Sequence, residues 1–256
     1  MSGLSAGDDA GDGADEAGPG AAVGRPVLDL TADMLDDTPA DTRVDFERGM
    51  SYLAPATLGM IAACAAVFGW QVAAGTLESD EAIVGAGAMV TERLLRGEAW
   101  RLVSAMFLHG SAEHLFGNMI ALYILGLACE HAFGSLPMLG IYAVAGIAAG
   151  LASAAVLPLP TVGASGAIFG LMGCVVAMLA RRRRDLHVRD GRIGFVLGVW
   201  ALWQLGMGFM SPHVANMAHV AGLLCGAGLG WAIEPRLLRG AAAAQPRTSA
   251  STSSET

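Results

Sequence analysis

The chain has 256 residues, a length that suits one domain, and 54% of them are hydrophobic while only 15% are charged. A soluble domain carries about a quarter charged residues, so this composition indicates an integral membrane protein. The formal net charge is −8, and about half of the acids precede Ser51. Because no basic stretch with interleaved aromatic residues follows, nucleic acid is not an expected partner.

The two ends of the chain differ in composition from its centre. Residues 1–47 are rich in Gly, Ala and Asp and poor in branched or aromatic residues, which predicts a disordered acidic segment. No basic stretch is followed there by an apolar core, so a signal peptide is not expected. Residues 239–256 are rich in Ala, Ser and Thr and are also expected to be disordered. Residues 48–238 form the predicted membrane domain.

Six apolar segments are long enough to cross a bilayer, which takes about 20 residues. They are Leu53–Ala74, Ala112–Phe133, Leu136–Leu157, Gly163–Ala180, Ile193–Met210 and Val214–Ile233. Between residues 112 and 180, histidine aside, only Glu113 and Glu130 are ionisable as acids or bases. Both lie at span ends, where solvated carboxylates are ordinary. The expected fold is therefore all-α, a polytopic bundle of six transmembrane helices.

The loops indicate how the bundle is oriented. Gly75–Gly110 is a long first loop that mixes charged and apolar residues, as a segment lying in the membrane interface would. Arg181–Arg184 lie between the fourth and fifth spans, so that loop should be cytoplasmic. Six spans then place both termini in the cytoplasm. The expected location is the plasma (inner) membrane of a bacterium, with the lipid bilayer as a partner.

Small residues recur at four-residue spacing in two spans. They are Gly166 and Gly170 in the fourth span, and Gly222, Gly226 and Gly230 in the sixth. Such spacing lets helix backbones approach closely in lipid, so these two spans are predicted to pack on each other. The alternative is the general enrichment of glycine in membrane helices. Cys64, Cys129, Cys174 and Cys225 all lie in apolar segments without CxxC spacing and are read as small buried side chains.

Polar side chains within the spans are costly and usually mark function. The strongest candidates for a functional site are His114, Asn118, Ser165 and His219. Gln204 and Asn216 are interpreted as helix–helix contacts. Ser165 precedes Arg181 by about 24 Å of helix, and His219 precedes Arg236 by about 25 Å. Both therefore lie at one depth, slightly below the outer surface of a core about 30 Å thick. His114 and Asn118 lie within about 10 Å of that surface, on one helix face.

This convergence predicts acyl-transfer chemistry. A serine hydroxyl needs a base to become nucleophilic, and His219 is the imidazole at matching depth. The fourth span has no carboxylate, and the sixth has none before Glu234, so a dyad is expected rather than a triad. Phe169 lies one turn after Ser165 and can stack against the imidazole.

Negative charge that develops in the transition state needs hydrogen-bond donors. The side chains of His114 and Asn118 can supply them, as can the backbone N–H of Ser165 at a helix N-terminus. Gly163 and Gly166 allow close backbone approach beside the serine. No cofactor and no metal are expected.

Three motifs together resemble those of rhomboid intramembrane serine proteases, over about residues 48–235. Gly163-Ala164-Ser165-Gly166 resembles the family's GxSG motif, and Ala218-His219 with Gly222 and Gly226 resembles AHxxGxxxG. His109, His114 and Asn118, following Trp100-Arg101, resemble the first-loop WR signature and the second-span HxxxN. Phe169 stands where a tyrosine is frequent, so a hydroxyl is lost and a stacking surface is kept.

The resemblance implies the basic six-span form, with Ser165 as nucleophile and His219 as general base. It also implies that His114 and Asn118 are oxyanion donors, and that Trp100 and Arg101 belong to a loop lying partly in the membrane. The expected function is a serine endopeptidase that cleaves single-span membrane proteins near the outer face. The oligomeric state is not predicted. Two alternatives are a catalytically inactive rhomboid-like protein that binds membrane clients, and a transporter or channel.

Overall fold

A computed structural model describes residues 43–156, 159–188, 198–199, 201–204, 206 and 216–239. Most of the predicted disordered ends, residues 1–42 and 240–256, and most of the predicted fifth span lie outside these ranges. Residues 43–47, assigned to the disordered segment by the sequence, are among those described, and two of them form a short strand.

The described residues are mostly helical. In chain order the elements are β1 (Val44–Asp45), α1 (Pro55–Ala73), α2 (Asp80–Ala86), α3 (Thr91–Leu95), α4 (Arg101–Ser104), α5 (Ala112–Phe133), α6 (Ser135–Val156), α7 (Ser165–Arg181), β2 (Leu186–His187) and α8 (Asn216–Ala232).

The expected helical membrane bundle is confirmed, but six spans are not. Four helical segments are long and apolar enough to cross a membrane: α1, α5, α6 and the segment Asn216–Arg239 that begins with α8. α7 is apolar but has 17 residues. The predicted second span coincides with α5 residue for residue.

Glu130 occupies a different place from the one predicted. It is only 5% exposed, and its carboxylate accepts hydrogen bonds from the backbone N–H of Ala56 and Thr57 at 3.1 and 2.9 Å. The hydroxyls of Thr57 and Ser135 also donate to it, at 2.8 and 2.6 Å. The interpretation as an ordinary solvated carboxylate was therefore wrong. Glu130 satisfies free N–H groups at the start of α1 and ties that helix to α5 and α6.

The first loop is built around Arg101, which is 4% exposed. Its guanidinium donates to the carbonyls of Val84 and Ala88 at 2.6 and 2.9 Å and to the Glu98 carboxylate at 2.7 Å. It also lies 4.6 Å from the centre of the Trp100 ring. A buried guanidinium needs such partners, and these fix α2 and the turn after it against α4. The pKa of Glu98 is lowered, chiefly by its hydrogen bond with Arg101.

The two glycine-rich helices α7 and α8 pack on each other, as their spacing predicted. A Cβ on Gly222 would overlap the carbonyl oxygen of Gly166, and one on Gly226 would overlap that of Gly170. On its other side, Gly166 faces the methyl group of Ala149 in α6. Backbones this close leave no room for side chains. The glycines therefore set the separation of the helices that carry Ser165 and His219.

This packing predicts a stability difference between two glycines of the same helix. We expect Gly226→Ala to lower the free energy of unfolding by about 1–3 kcal/mol, because the added methyl group meets backbone rather than a flexible side chain. Gly228 is the matched control, since a Cβ there would have no atom within 4 Å. Unfolding of both variants in mild detergent, followed by circular dichroism, measures the difference. Equal stability of the two variants would contradict the close packing.

At the end of the bundle where α7 finishes, arginine side chains bond to neighbouring residues. Arg182 donates to the carboxylates of Glu234 and Asp185, and Arg181 donates to the carbonyl of Trp231. Beyond them, β1 and β2 pair in parallel, with Val44 opposite Leu186 and Asp45 opposite His187. We call this end, with Arg181, Arg182 and Arg236, the arginine end of the bundle. Ser165 lies at the other end of α7.

Candidate active site

Ser165 is the first residue of α7, and the loop before it has an unusual backbone. Gly163 has a φ of +124°, a conformation that favours glycine. A Cβ there would lie 2.7 Å from His114 Cε1, so the position excludes side chains for a second reason. The backbone N–H of Gly163 donates to the carbonyl of Ala105 at 2.8 Å. This bond anchors the serine loop to the end of the first loop.

Ser165 and His219 are in direct contact. The Oγ of Ser165 lies 2.9 Å from Nε2 of His219, across 54 residues of sequence. The imidazole is buried and stacks on the Phe169 ring, with centroids 4.5 Å apart and planes 12° apart. Its Nδ1 has no hydrogen-bond partner among the described residues. Stacking, rather than a carboxylate, therefore orients the ring.

His114 and Asn118 lie beside the serine loop on α5. His114 lies against Gly163, and Asn118 Nδ2 is 3.6 Å from where a Cβ of that glycine would be. Asn118 is 1% exposed, and neither atom of its amide has a partner within the described part of the chain. An unsatisfied buried amide costs about 1–3 kcal/mol. A site that receives an anionic group requires free hydrogen-bond donors, and the Asn118 amide supplies one.

His109 and Gln71 form a support behind His114 that sequence reasoning found only in part. The His109 ring packs edge-on against that of His114, with centroids 5.3 Å apart. Gln71, in α1, donates to the carbonyl of His109 at 3.1 Å and accepts from its N–H at 2.9 Å. Burial and the neighbouring His114 lower the pKa of His109 to about 4, so this imidazole is neutral near pH 7. The lone amide of Gln71 in an apolar span was the missed signal.

A cavity of about 580 Å³ opens beside Ser165, His219 and His114, whereas Asn118 and His109 are not among its lining residues. Its lining comes from α5, α6, α7, α8 and the first loop. Gln204, predicted to make helix–helix contacts, also lines it. Trp100 and Arg101 are not among the lining residues, and Arg101 is bonded within the first loop. Within the described ranges, no group of three His, Cys, Asp or Glu side chains is placed to hold a metal ion.

Comparison with known proteins identifies a family for the chain. Residues 96–236 match the Rhomboid domain. The rhomboid protease GluP of Bacillus subtilis is 37% identical over 59% of the chain, and RHOMBOID-like protein 5 of Arabidopsis thaliana is 33% identical over 57%. The rhomboid protease AarA of Providencia stuartii is 30% identical over 72% of the chain.

The matches cover different shares of these relatives. They span 29% of GluP, 48% of the Arabidopsis protein and 74% of AarA. The family match covers more than half of the chain, and it includes both Ser165 and His219. This integral membrane protein belongs to the rhomboid family.

Proposed function

We propose that the chain is an intramembrane serine endopeptidase that cleaves single-span membrane proteins with a Ser165–His219 dyad. The observation that carries the proposal is the 2.9 Å separation between Ser165 Oγ and His219 Nε2 on the wall of one cavity. A base within hydrogen-bond reach is what turns a serine hydroxyl into a nucleophile. An inactive binding protein would have no need of this contact.

The reaction follows from the positions of the groups. Nε2 of His219 accepts the proton as Ser165 Oγ attacks the scissile carbonyl, and the resulting oxyanion accepts hydrogen bonds from His114 and Asn118. The imidazolium then gives its proton to the departing amine, leaving an acyl-enzyme. Water, activated by the same imidazole, hydrolyses that ester and restores the serine. The cycle needs no cofactor.

The arginine end of the bundle faces the cytoplasm in this proposal, as the positive-inside rule expects. Ser165, which lies sixteen residues before Arg181 on α7, is then near the outer face of the membrane. The proposed location is the plasma membrane of a bacterium, with both termini in the cytoplasm. Substrate spans reach the dyad from the bilayer at that depth.

The direct test is reconstitution of the purified chain in liposomes with a library of single-span segments. We expect cleavage of a subset, each at one bond near the outer end of its span, with mass spectrometry identifying the products. Failure to cleave any segment, in either orientation, would reject the proposed function.

The proposal predicts how cleavage depends on the position of a helix-breaking glycine pair in the substrate. A helical span hides its peptide bonds in internal hydrogen bonds, so it must unwind where it meets Ser165. That level is about 6 Å below the outer edge of the hydrocarbon core. Cleavage should be highest with the glycines in the outer third of the span, and about tenfold lower with them in the cytoplasmic half. An alanine pair moved through the same positions is the control. Cleavage that ignores glycine position would contradict the placement of the dyad.

A further inference from the structure

One wall of the catalytic cavity carries acidic side chains that the dyad chemistry does not use. Glu78 and Asp80 line the cavity together with Ser165 and His219. Glu81 follows Asp80 in the first turn of α2, and all three residues are exposed. We call these three residues the acidic rim. Within the described ranges, no basic side chain forms an ion pair with any of them.

The arginines of the same loop are engaged elsewhere. Arg93 and Arg101 pair with Glu98 at 3.2 and 2.7 Å, and Arg96 pairs with Glu92 at 2.6 Å. Among the residues that the structure describes, the loop therefore has one part whose charges form ion pairs and a rim whose carboxylates form none. The carboxyl end of α1, which closes at Ala73, adds the negative end of a helix dipole just before the rim.

The rim is held at a defined position relative to the proposed oxyanion donors. Thr76 donates its hydroxyl to the carbonyl of Gln71 at 3.4 Å, and Gln71 exchanges two hydrogen bonds with the His109 backbone. The His109 ring in turn packs against His114. On the other side, the Ser79 hydroxyl accepts from the N–H of Ala82 and begins α2. The carboxylates therefore project from backbone that is tied to the active site.

The cavity has the features of a site that receives a peptide rather than a metal ion. Asn118, 1% exposed and without a hydrogen-bond partner in the described residues, does not line the cavity itself but lies behind Gly163, which does. The N–H group of this amide can donate a hydrogen bond to a ligand that carries an acceptor. The rim acids do not converge on a cation site, because no three metal-ligating side chains meet within the described part of the chain. Their charge therefore acts as a field across the cavity mouth.

We propose that the acidic rim selects substrates that carry Lys or Arg in the first few residues outside the scissile bond. This inference rests on the proposed function and names a substrate class for it. A basic side chain entering at the rim gains attraction from carboxylates that form no ion pair within the described residues, and an acidic one is repelled. Because the rim is exposed, the preference should be several-fold and should weaken as salt rises.

The test uses pairs of substrates that differ only in Lys or Glu at one outer flanking position. We expect the wild-type chain in liposomes to cleave the Lys substrate with about fivefold higher kcat/KM at low salt. The double variant Glu78→Gln/Asp80→Asn should bring the ratio near one, and Glu78→Lys should invert it. Glu92→Gln is the matched control: this acid lies in the same loop, pairs with Arg96 and is not among the residues that line the cavity.

A binding measurement separates this inference from the proposed function. In Ser165→Ala, the Lys segment should bind about fivefold more tightly than the Glu segment, and Glu78→Gln/Asp80→Asn should remove the difference. Equal binding of the two segments, or a preference that survives in the rim variant, overturns the inference even if cleavage is normal. A rim-dependent preference in binding without any cleavage by the wild type supports the inference and rejects the protease.

Discussion

Replacing Ser165 or His219 by alanine should lower the rate of peptide-bond cleavage by about six orders of magnitude, which leaves no detectable product. Without the hydroxyl there is no nucleophile, and without the imidazole 2.9 Å away nothing accepts its proton. The two residues act as one unit, so the double variant should be no less active than either single variant. The measurement is product formation from a single-span substrate in liposomes, over days at high enzyme concentration.

Two matched controls separate chemistry from folding. Ser135 is the first residue of α6, as Ser165 is of α7, but its hydroxyl bonds to Glu130. His131 lies at the end of α5 and bonds to the carbonyl of Phe46. Alanine at either position should preserve activity per folded molecule. Wild-type activity in Ser165→Ala or His219→Ala would reject the dyad.

Asn118→Ala should lower kcat about 10- to 1,000-fold, as removal of one oxyanion donor does in other serine hydrolases. The amide sits 3.6 Å from the position of a Gly163 Cβ and has no partner among the described residues, so it is free to bind the oxyanion. The loss should appear equally in kcat and kcat/KM, because the interaction forms only in the transition state. Its removal should not reduce stability by much, since its amide makes no hydrogen bond within the described part of the chain.

His114→Ala should show a loss of similar size. Met119→Leu is the control on the same helix, where a conservative change beside Asn118 should leave kcat unchanged. Unchanged rates in both Asn118→Ala and His114→Ala would mean that backbone N–H groups alone hold the oxyanion. A rise in KM with constant kcat would instead make them substrate-binding residues.

Local properties of the sequence determined where these helices begin and end. Length and hydropathy placed α5 at Ala112–Phe133. Pro158 and Pro160, which interrupt a helix, placed the start of α7 within two residues of Ser165. These predictions succeed because a helix in lipid must make all of its backbone hydrogen bonds within itself. Its first and last residues therefore depend on nearby residues alone. The glycine spacing predicted the α7–α8 contact, because residues four apart lie on one face of a helix. This pattern is also a local property of the sequence.

Sequence also singled out the polar residues of the site, because ionisable and amide groups are rare in spans. Counting residues at the rise of an α-helix placed Ser165 and His219 at one depth in the membrane. That count could not predict the 2.9 Å contact between their side chains. That distance depends on the approach of α7 and α8, which is set by the absence of side chains along their shared face.

Only the tertiary structure showed the contacts of Glu130 and Gln71 and the place of the acidic rim beside the cavity. Glu130 caps a helix that begins more than 70 residues earlier in the chain, and Gln71 supports His109 from 38 residues away. Which acids of the first loop form ion pairs within the described residues depends on which of them the arginines reach in space. A side chain's partner across such separations is chosen by packing, because the same carboxylate serves as a solvated charge or a buried cap according to what surrounds it.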